Sequence, residues 1–331
     1  MRAAILREYD ATPELGEFDD PTPGDGAVVA EVLAAGLNPV DIRKAAGVFP
    51  LAPKPPLPSV AGWEGIARLE DGSHVYFVDP RPPHGALAER TLIDPAAVHP
   101  VPEGLEPGVA VALGIAGLAG WLALTWSAKL RPGESVLVLG ATGTVGQVAV
   151  QGAKLMGASR VVAAGRNPDG LTRAAELGAD ATVSLTDAGD GLADAFREAA
   201  GGDGFDVIVD PLWGEPGVAA MEASKRFTRH VALGQSAGVH ASVSVATVRN
   251  KPLTIVGHTN YAIPVEDQRE AYAEMTAHAA AGRLTADVDS VPLDDVASAW
   301  ERLRAGSPGA KLVVVPVASR PRGSRVGTSS A

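Results

Sequence analysis

The 331-residue sequence predicts an α/β protein in which a doubly wound parallel sheet is joined to a β-rich domain. Three observations predict it. From about residue 107 onward, short apolar runs alternate with helical stretches, the pattern of a parallel sheet covered on both faces. One such run, Ser135-Val136-Leu137-Val138-Leu139, ends abruptly at Gly140-Ala141-Thr142-Gly143-Thr144-Val145-Gly146. Residues 1–120 carry instead short β-type runs between Pro/Gly turns.

In chain order, residues 28–33 and 74–78 have the composition of strands, and the proline-dense stretch 49–58 that of a surface loop. Strands are then expected at 135–139, 161–164, 181–183, 205–210, 230–234 and 253–257, with helices at 147–156 and 171–177. The stretch 265–281 reads as a helix and 311–315 as a strand; lacking a glycine turn, they should return to the first domain. The expected divisions are 1–120, 121–260, 261–317 and a disordered Arg/Ser/Gly-rich tail at 318–331. The longest apolar region, 109–124, is rich in Gly and Ala and too short for a membrane span.

The glycine segment carries the chemistry. Gly140 permits a tight turn, Gly143 lets backbone amides approach a pyrophosphate, and Gly146 lets the following helix pack close to the sheet. With Ala141, Thr142, Thr144 and Val145 between them, they form a Rossmann-type phosphate cradle at a helix N-terminus. The same glycines can occur in an ordinary strand-to-helix turn, but the two flanks favour dinucleotide binding. After the second strand, Gly165 is followed by Arg166 and Asn167, where an NAD site carries an acidic residue. A guanidinium there suits a 2′-phosphate, so NADPH is the expected cofactor; the alternative is a solvated arginine. Arg173 is a second candidate for that phosphate. Gly234 and Ser236 follow the fifth strand, Gly257 and His258 the sixth, and both loops should approach the nicotinamide half. His258 is also a minor candidate as proton donor.

Composition narrows the classes. A net charge of −11 argues against a general nucleic-acid or anionic-membrane surface. Without cysteine there is no disulfide, thiolate nucleophile or cysteine–zinc site. The N-terminal residues soon meet an acidic, proline-broken stretch unlike a signal peptide, so a cytoplasmic location is expected.

Several local patterns, in order, resemble the medium-chain dehydrogenase/reductase superfamily and most closely its zinc-independent quinone oxidoreductase branch. They are Asn38-Pro39-Val40-Asp41 with Gly47, Gly62-Trp63-Glu64-Gly65, Gly85-Ala86-Leu87-Ala88-Glu89, the glycine cradle, and Ala310-Lys311-Leu312-Val313-Val314. The resemblance covers about residues 1–317 and implies a GroES-like first domain, a homodimer built on the edge around 243–257, and a small quinone or enone substrate. Zinc alcohol dehydrogenases of this superfamily place metal ligands where this chain has Asn38 and Trp63, and near Ile115. An amide, an indole and an alkyl group replace them poorly, so no metal is expected and Glu64 should serve as an ion-pair or hydrogen-bond partner.

Hydride transfer to an activated acceptor follows from that resemblance, with Asn38 as a donor to the acceptor oxygen or the nicotinamide ribose. On turn chemistry alone, Asn38 is equally a capping residue. Asp41 would organise the turn, and Arg43 would be either a pocket cation or a solvated arginine. Relatives often carry a threonine where this chain has Ala119, and a lysine near Gly170. Trp121 and Trp126 could wall the cleft, with core packing expected of at least one. A 2-enoyl thioester reductase and a non-enzymatic NADPH- or RNA-binding protein are the alternatives.

Overall fold

The computed structural model describes residues 1–306 and 309–316, so the tail at 318–331 lies outside the described residues. Six parallel strands form one sheet, in the order Ala181–Ser184, Arg160–Gly165, Ser135–Leu139, Phe205–Asp210, Ser224–Ala232 and Thr254–Gly257. Along them the side chains alternate between two cores. Val136, Val138, Val161, Ala163, Val207 and Val209 face one side, and Leu137, Leu139, Val162, Ala164 and Ile208 the other. Burial on both faces is why these strands read as unbroken apolar runs.

Several elements extend beyond their expected bounds. The fifth strand begins at Ser224, and the helix after the second strand spans Pro168–Glu176. That helix starts early because the Asn167 side chain caps it, its Oδ1 accepting from the Asp169 N–H at 3.0 Å.

The β-rich part is built on a mostly antiparallel seven-stranded sheet, beside a three-stranded one of Glu14–Glu17, Arg2–Leu6 and Ser59–Val60. The principal order of the larger sheet is Val288–Pro292, Lys311–Val315, Val28–Gly36, Glu64–Arg68, His74–Val78 and His99–Pro100, with Arg90–Ile93 also paired to Val28–Gly36. Pairing of Val313 with Gly36 brings the strand Lys311–Val315 back beside Val28–Gly36. This return places Lys311 beneath the loop that carries Asn38.

The two sheets are joined by the helical stretch Pro107–Ala128. At 22 residues it is longer than the apolar region 109–124 and meets the length and composition of a membrane-crossing helix, yet 78% of its most apolar window is buried within the protein. Trp121 is a core residue at 1% exposure, whereas Trp126 is exposed. The stretch breaks at Gly114, where ψ turns to −124°. That break frees the next amide for the site.

Candidate active site

The segment 140–146 forms a tight strand-to-helix turn. Gly140 holds φ at +60°, and a Cβ on Gly146 would lie 2.4 Å from both Ala141 Cα and Gly140 O. Helix Thr144–Leu155 therefore starts hard against the turn, with Gly143 as its N-cap. Its leading N–H groups have no partner within the helix and suit a pyrophosphate. Thr142 fills the space over Gly165 and Gly170: a Cβ at Gly170 would sit 2.7 Å from Thr142 Cβ. The position where relatives carry lysine is thus closed to a side chain here. Arg166 is exposed and has no side-chain hydrogen bond or ion pair among the described residues.

Arg173 differs from its expected role. Its Nη2 bonds Asp287 at 3.0 Å and its Nη1 bonds Glu176 at 3.1 Å. Asp287 comes from the returning C-terminal segment, so the guanidinium ties the two sheets together instead of standing open to a phosphate. Asn167 spends its side-chain oxygen on the helix cap.

The loops after the fifth and sixth strands lie at the C-terminal edge of the sheet, beside the crossover between Ser135–Leu139 and Phe205–Asp210. Gly234 approaches Pro211 so closely that a Cβ would be 2.3 Å from its carbonyl oxygen, and the Ser236 hydroxyl donates to the same oxygen at 3.3 Å. Gly257 borders open space. Both ring nitrogens of His258 are occupied, Nδ1 with Ser127 Oγ at 2.9 Å and Nε2 with Asn260 Oδ1 at 3.2 Å. Burial lowers its pKa, so the ring is neutral and anchored, which argues against a proton-donating role.

Around Glu64 the chain builds a buried polar cluster. Glu64 Oε1 accepts from Lys311 Nζ at 2.7 Å and from Asn38 Nδ2 at 2.6 Å. Its Oε2 accepts from Tyr76 OH at 3.0 Å and from the Ile115 N–H at 2.7 Å. Lys311 Nζ also donates to Asn38 Oδ1 at 2.6 Å. Two glycines make the room: a Cβ on Gly36 would lie 2.4 Å from Glu64 Oε1, and one on Gly114 would lie 2.5 Å from Oε2. Burial and the Glu64 charge hold the Tyr76 phenol well above its usual range, so it stays a donor.

This donor set does not fit zinc. Glu64 stands where a metal-binding turn would be, but each of its oxygens already receives two donors and one of these is an ammonium. The side chains of Asn38, Trp63 and Ile115 supply no thiolate or imidazole. Among the described residues, no three His, Asp or Glu side chains gather as ligands.

Asn38 thus has its amide engaged at both ends, and its backbone N–H donates to Asp41 Oδ2 at 2.6 Å. Asp41 closes that turn as a capping box from a fully buried position, its Oδ1 unpartnered among the described residues. Burial, then the Glu64 charge, raises its pKa from 3.8 to about 7. The folded state binds more protons than the unfolded one between those values, so stability falls as pH rises from about 4 to about 7. At full effect the difference is about 4 kcal/mol. Asp41→Asn keeps an oxygen for the Asn38 N–H. The variant should lose this pH dependence, as read from urea midpoints at pH 5 and pH 8. A slope identical to that of the native chain would refute the assignment.

Arg43 points outward and lies 5.7 Å from the Phe49 ring centre. Its neighbour Lys44 carries no mark in the sequence, yet it turns inward at 3% exposure. The Lys44 ammonium pairs with Asp79 and lies 5.4 Å from the Tyr261 ring centre, 5.5 Å from Trp63 and 5.9 Å from Phe49. The signal that could have found it is helical spacing: Asp41, Lys44 and Ala45 share one buried face of the helix Pro39–Ala45.

Comparison with known proteins agrees with this architecture. A family model described as zinc-binding dehydrogenase matches residues 144–280, a span without Asn38, Trp63 or Glu64. An alcohol dehydrogenase of Rhizobium meliloti is 32% identical over 241 residues, 61% of this chain and 68% of that protein. Human quinone oxidoreductase is 28% identical over 325 residues, 93% of this chain and 95% of that one. A highly reducing polyketide synthase of Leptosphaeria maculans is 27% identical over 303 residues; the match takes 88% of this chain but 12% of that much longer protein. Among solved structures, quinone oxidoreductase from Thermus thermophilus, studied also in complex with NADPH, superposes with a TM-score of 0.80 at 27% identity, covering 95% of this chain and 100% of that one. The chain belongs to the medium-chain dehydrogenase/reductase superfamily. Within it, the chain falls in the quinone oxidoreductase branch.

Proposed function

We propose that this chain is a zinc-free reductase that uses NADPH to deliver hydride to quinones or α,β-unsaturated carbonyl compounds. The carrying observation is the pairing of Glu64 with the Lys311 ammonium, which leaves the reaction to the cofactor and to the shape and donors of the cleft. When bound, the reduced nicotinamide supplies hydride. The residues of the chain hold and align it: the cradle 140–146 takes the pyrophosphate, Arg166 the 2′-phosphate, and the loops at Gly234, Ser236, Gly257 and His258 border the nicotinamide half. Because its amide is tied to Glu64 and Lys311, Asn38 supports the cleft wall rather than reaching for the acceptor.

A second reading, reduction of 2-enoyl thioesters, is favoured by the likeness to a polyketide synthase. NADPH consumption with 1,4-benzoquinone, 9,10-phenanthrenequinone, an alkyl enone and a crotonyl thioester separates the two. Turnover of quinones supports the first reading, and turnover of the thioester alone the second. Silence throughout would favour an NADPH-binding protein without this activity. RNA as a partner is disfavoured by the net charge of −11.

We assign the chain to the cytoplasm and to a homodimer. The sixth strand, Thr254–Gly257, is the end of its sheet, with Ile255 at 43% and Phe227 at 66% exposure nearby, an edge that a second copy would cover. A single monomeric species in sedimentation would remove the dimer.

A further inference from the structure

We propose that Tyr261, Lys44 and Asp79 form a proton-donating relay at the mouth of the cleft, in which the Tyr261 phenol protonates the acceptor oxygen once hydride has arrived. The inference rests on the reductase reading. Its basis is the way three separate segments converge. Tyr261 stands in the short turn Asn260–Ala262 after the sixth strand, on the side of the sheet where the nicotinamide half is expected. It is 41% exposed, so part of its side chain is open to a small molecule. Behind it the Lys44 ammonium is buried, enclosed by the rings of Tyr261, Trp63 and Phe49. Asp79 bonds that ammonium while keeping 45% of its own side chain exposed. Phenol, ammonium and carboxylate thus run from the cleft through a sheltered cation to water.

An ammonium sealed under three aromatic rings needs a reason. Burial disfavours the Lys44 ammonium, but the Asp79 carboxylate, with Tyr261, outweighs it and holds the Lys44 pKa above its usual range. Packing would be met as well by an aliphatic side chain on this buried face. A cation held beside a phenol, by contrast, stabilises the phenolate that proton donation leaves behind.

The groups facing Tyr261 are Asp79, Lys44 and Asp41, with Arg43 over the neighbouring Phe49 ring. Burial and the Asp79 charge hold the phenol above its ordinary 10, and the Lys44 charge opposes them. The phenol therefore enters the reaction protonated.

The hydride that a bound reduced nicotinamide would supply would bring two electrons to the acceptor and leave negative charge on its oxygen. The Tyr261 O–H bond breaks and a new O–H bond forms on that oxygen. Lys44 holds the resulting phenolate, and the proton is restored from water along the Lys44–Asp79 pair. Tyr261 is the catalytic residue in this scheme and Lys44 a positioning residue.

The test has two arms on the full chain. Ultraviolet difference titration against Tyr261→Phe isolates this phenol from the other tyrosines without any turnover. Lys44→Met should move its ionisation to higher pH and Asp79→Asn to lower pH. In turnover, Tyr261→Phe should lower kcat about 100-fold or more while leaving the KM for NADPH within about twofold. Lys44→Met should shift the kcat–pH profile, and Lys44→Arg should partly restore it. A wild-type chain inert toward every acceptor would remove the reductase reading, and the titration would still judge the relay. A phenol unmoved by Lys44→Met overturns the relay; so does full kcat in Tyr261→Phe when the wild type turns over.

Discussion

Lys311→Met should cost about 3–5 kcal/mol of stability, the largest single-residue effect expected outside the glycine cradle. The thioether keeps most of the lysine's aliphatic volume, so the loss isolates the charge. Glu64 is fully buried and Lys311 is 3% exposed, and their 2.7 Å bond spans 247 residues of sequence. Removing the ammonium leaves a buried carboxylate with only neutral donors, from Asn38, Tyr76 and the Ile115 amide. A desolvated anion without a counter-charge is the costliest arrangement in this cluster. Removing both charges should hurt less than removing one. The double variant Glu64→Gln/Lys311→Met should recover a substantial part of the loss, because no unpaired charge then stays in the core. Urea midpoints for the two single variants and the double variant measure it. Additive losses would mean that the pair is not coupled.

That pair also shows where the sequence was legible and where it was not. The six strands and the glycine turn were legible because each is a local pattern: an apolar run, a punctuating glycine, a helical period. The strand Lys311–Val315 was placed correctly for the same reason. Its lysine was read only as part of a closing motif, since its partner lies on a distant turn that no local pattern reveals. A single charge opening a strand whose Leu312, Val313 and Val314 are buried was the available signal. Arg173 failed in the same manner. Spacing put it near the cofactor, but Asp287 claims it from a segment 114 residues away.

The Asn38–Ala46 region shows the opposite limit. Arg43 drew attention because relatives carry a pocket residue there, while Lys44 beside it was passed over. Adjacent residues on a helix point about 100° apart, so a change of one position exchanges solvent for core. The kink at Gly114 lay beyond sequence reasoning altogether. A Cβ there would collide with Glu64 and Tyr76, which come from two other strands, so the amide turned to Glu64 depends on a glycine at this position.

Arg166→Ala should raise the KM for NADPH roughly 10- to 100-fold and change that for NADH little. A charge-assisted hydrogen bond is worth about 1.5–3 kcal/mol, and about 1.4 kcal/mol is a factor of ten. The expectation is sharpened by what surrounds the residue. Asn167 is committed to its helix cap, Arg173 to Asp287, and a side chain at Gly170 would collide with Thr142. Arg166 is thereby the one basic side chain beside the second strand's end that no neighbour has claimed among the described residues. Arg173→Ala is the matched control, since it deletes an equal charge close by. It should lower stability through the lost Asp287 pair while leaving the NADPH-to-NADH preference intact. Raising the salt concentration should weaken NADPH binding in the native chain more than in Arg166→Ala, because an exposed phosphate–guanidinium contact is screened. Equal losses with both cofactors would place the 2′-phosphate elsewhere, and a larger effect from Arg173→Ala would reverse the assignment of the two arginines.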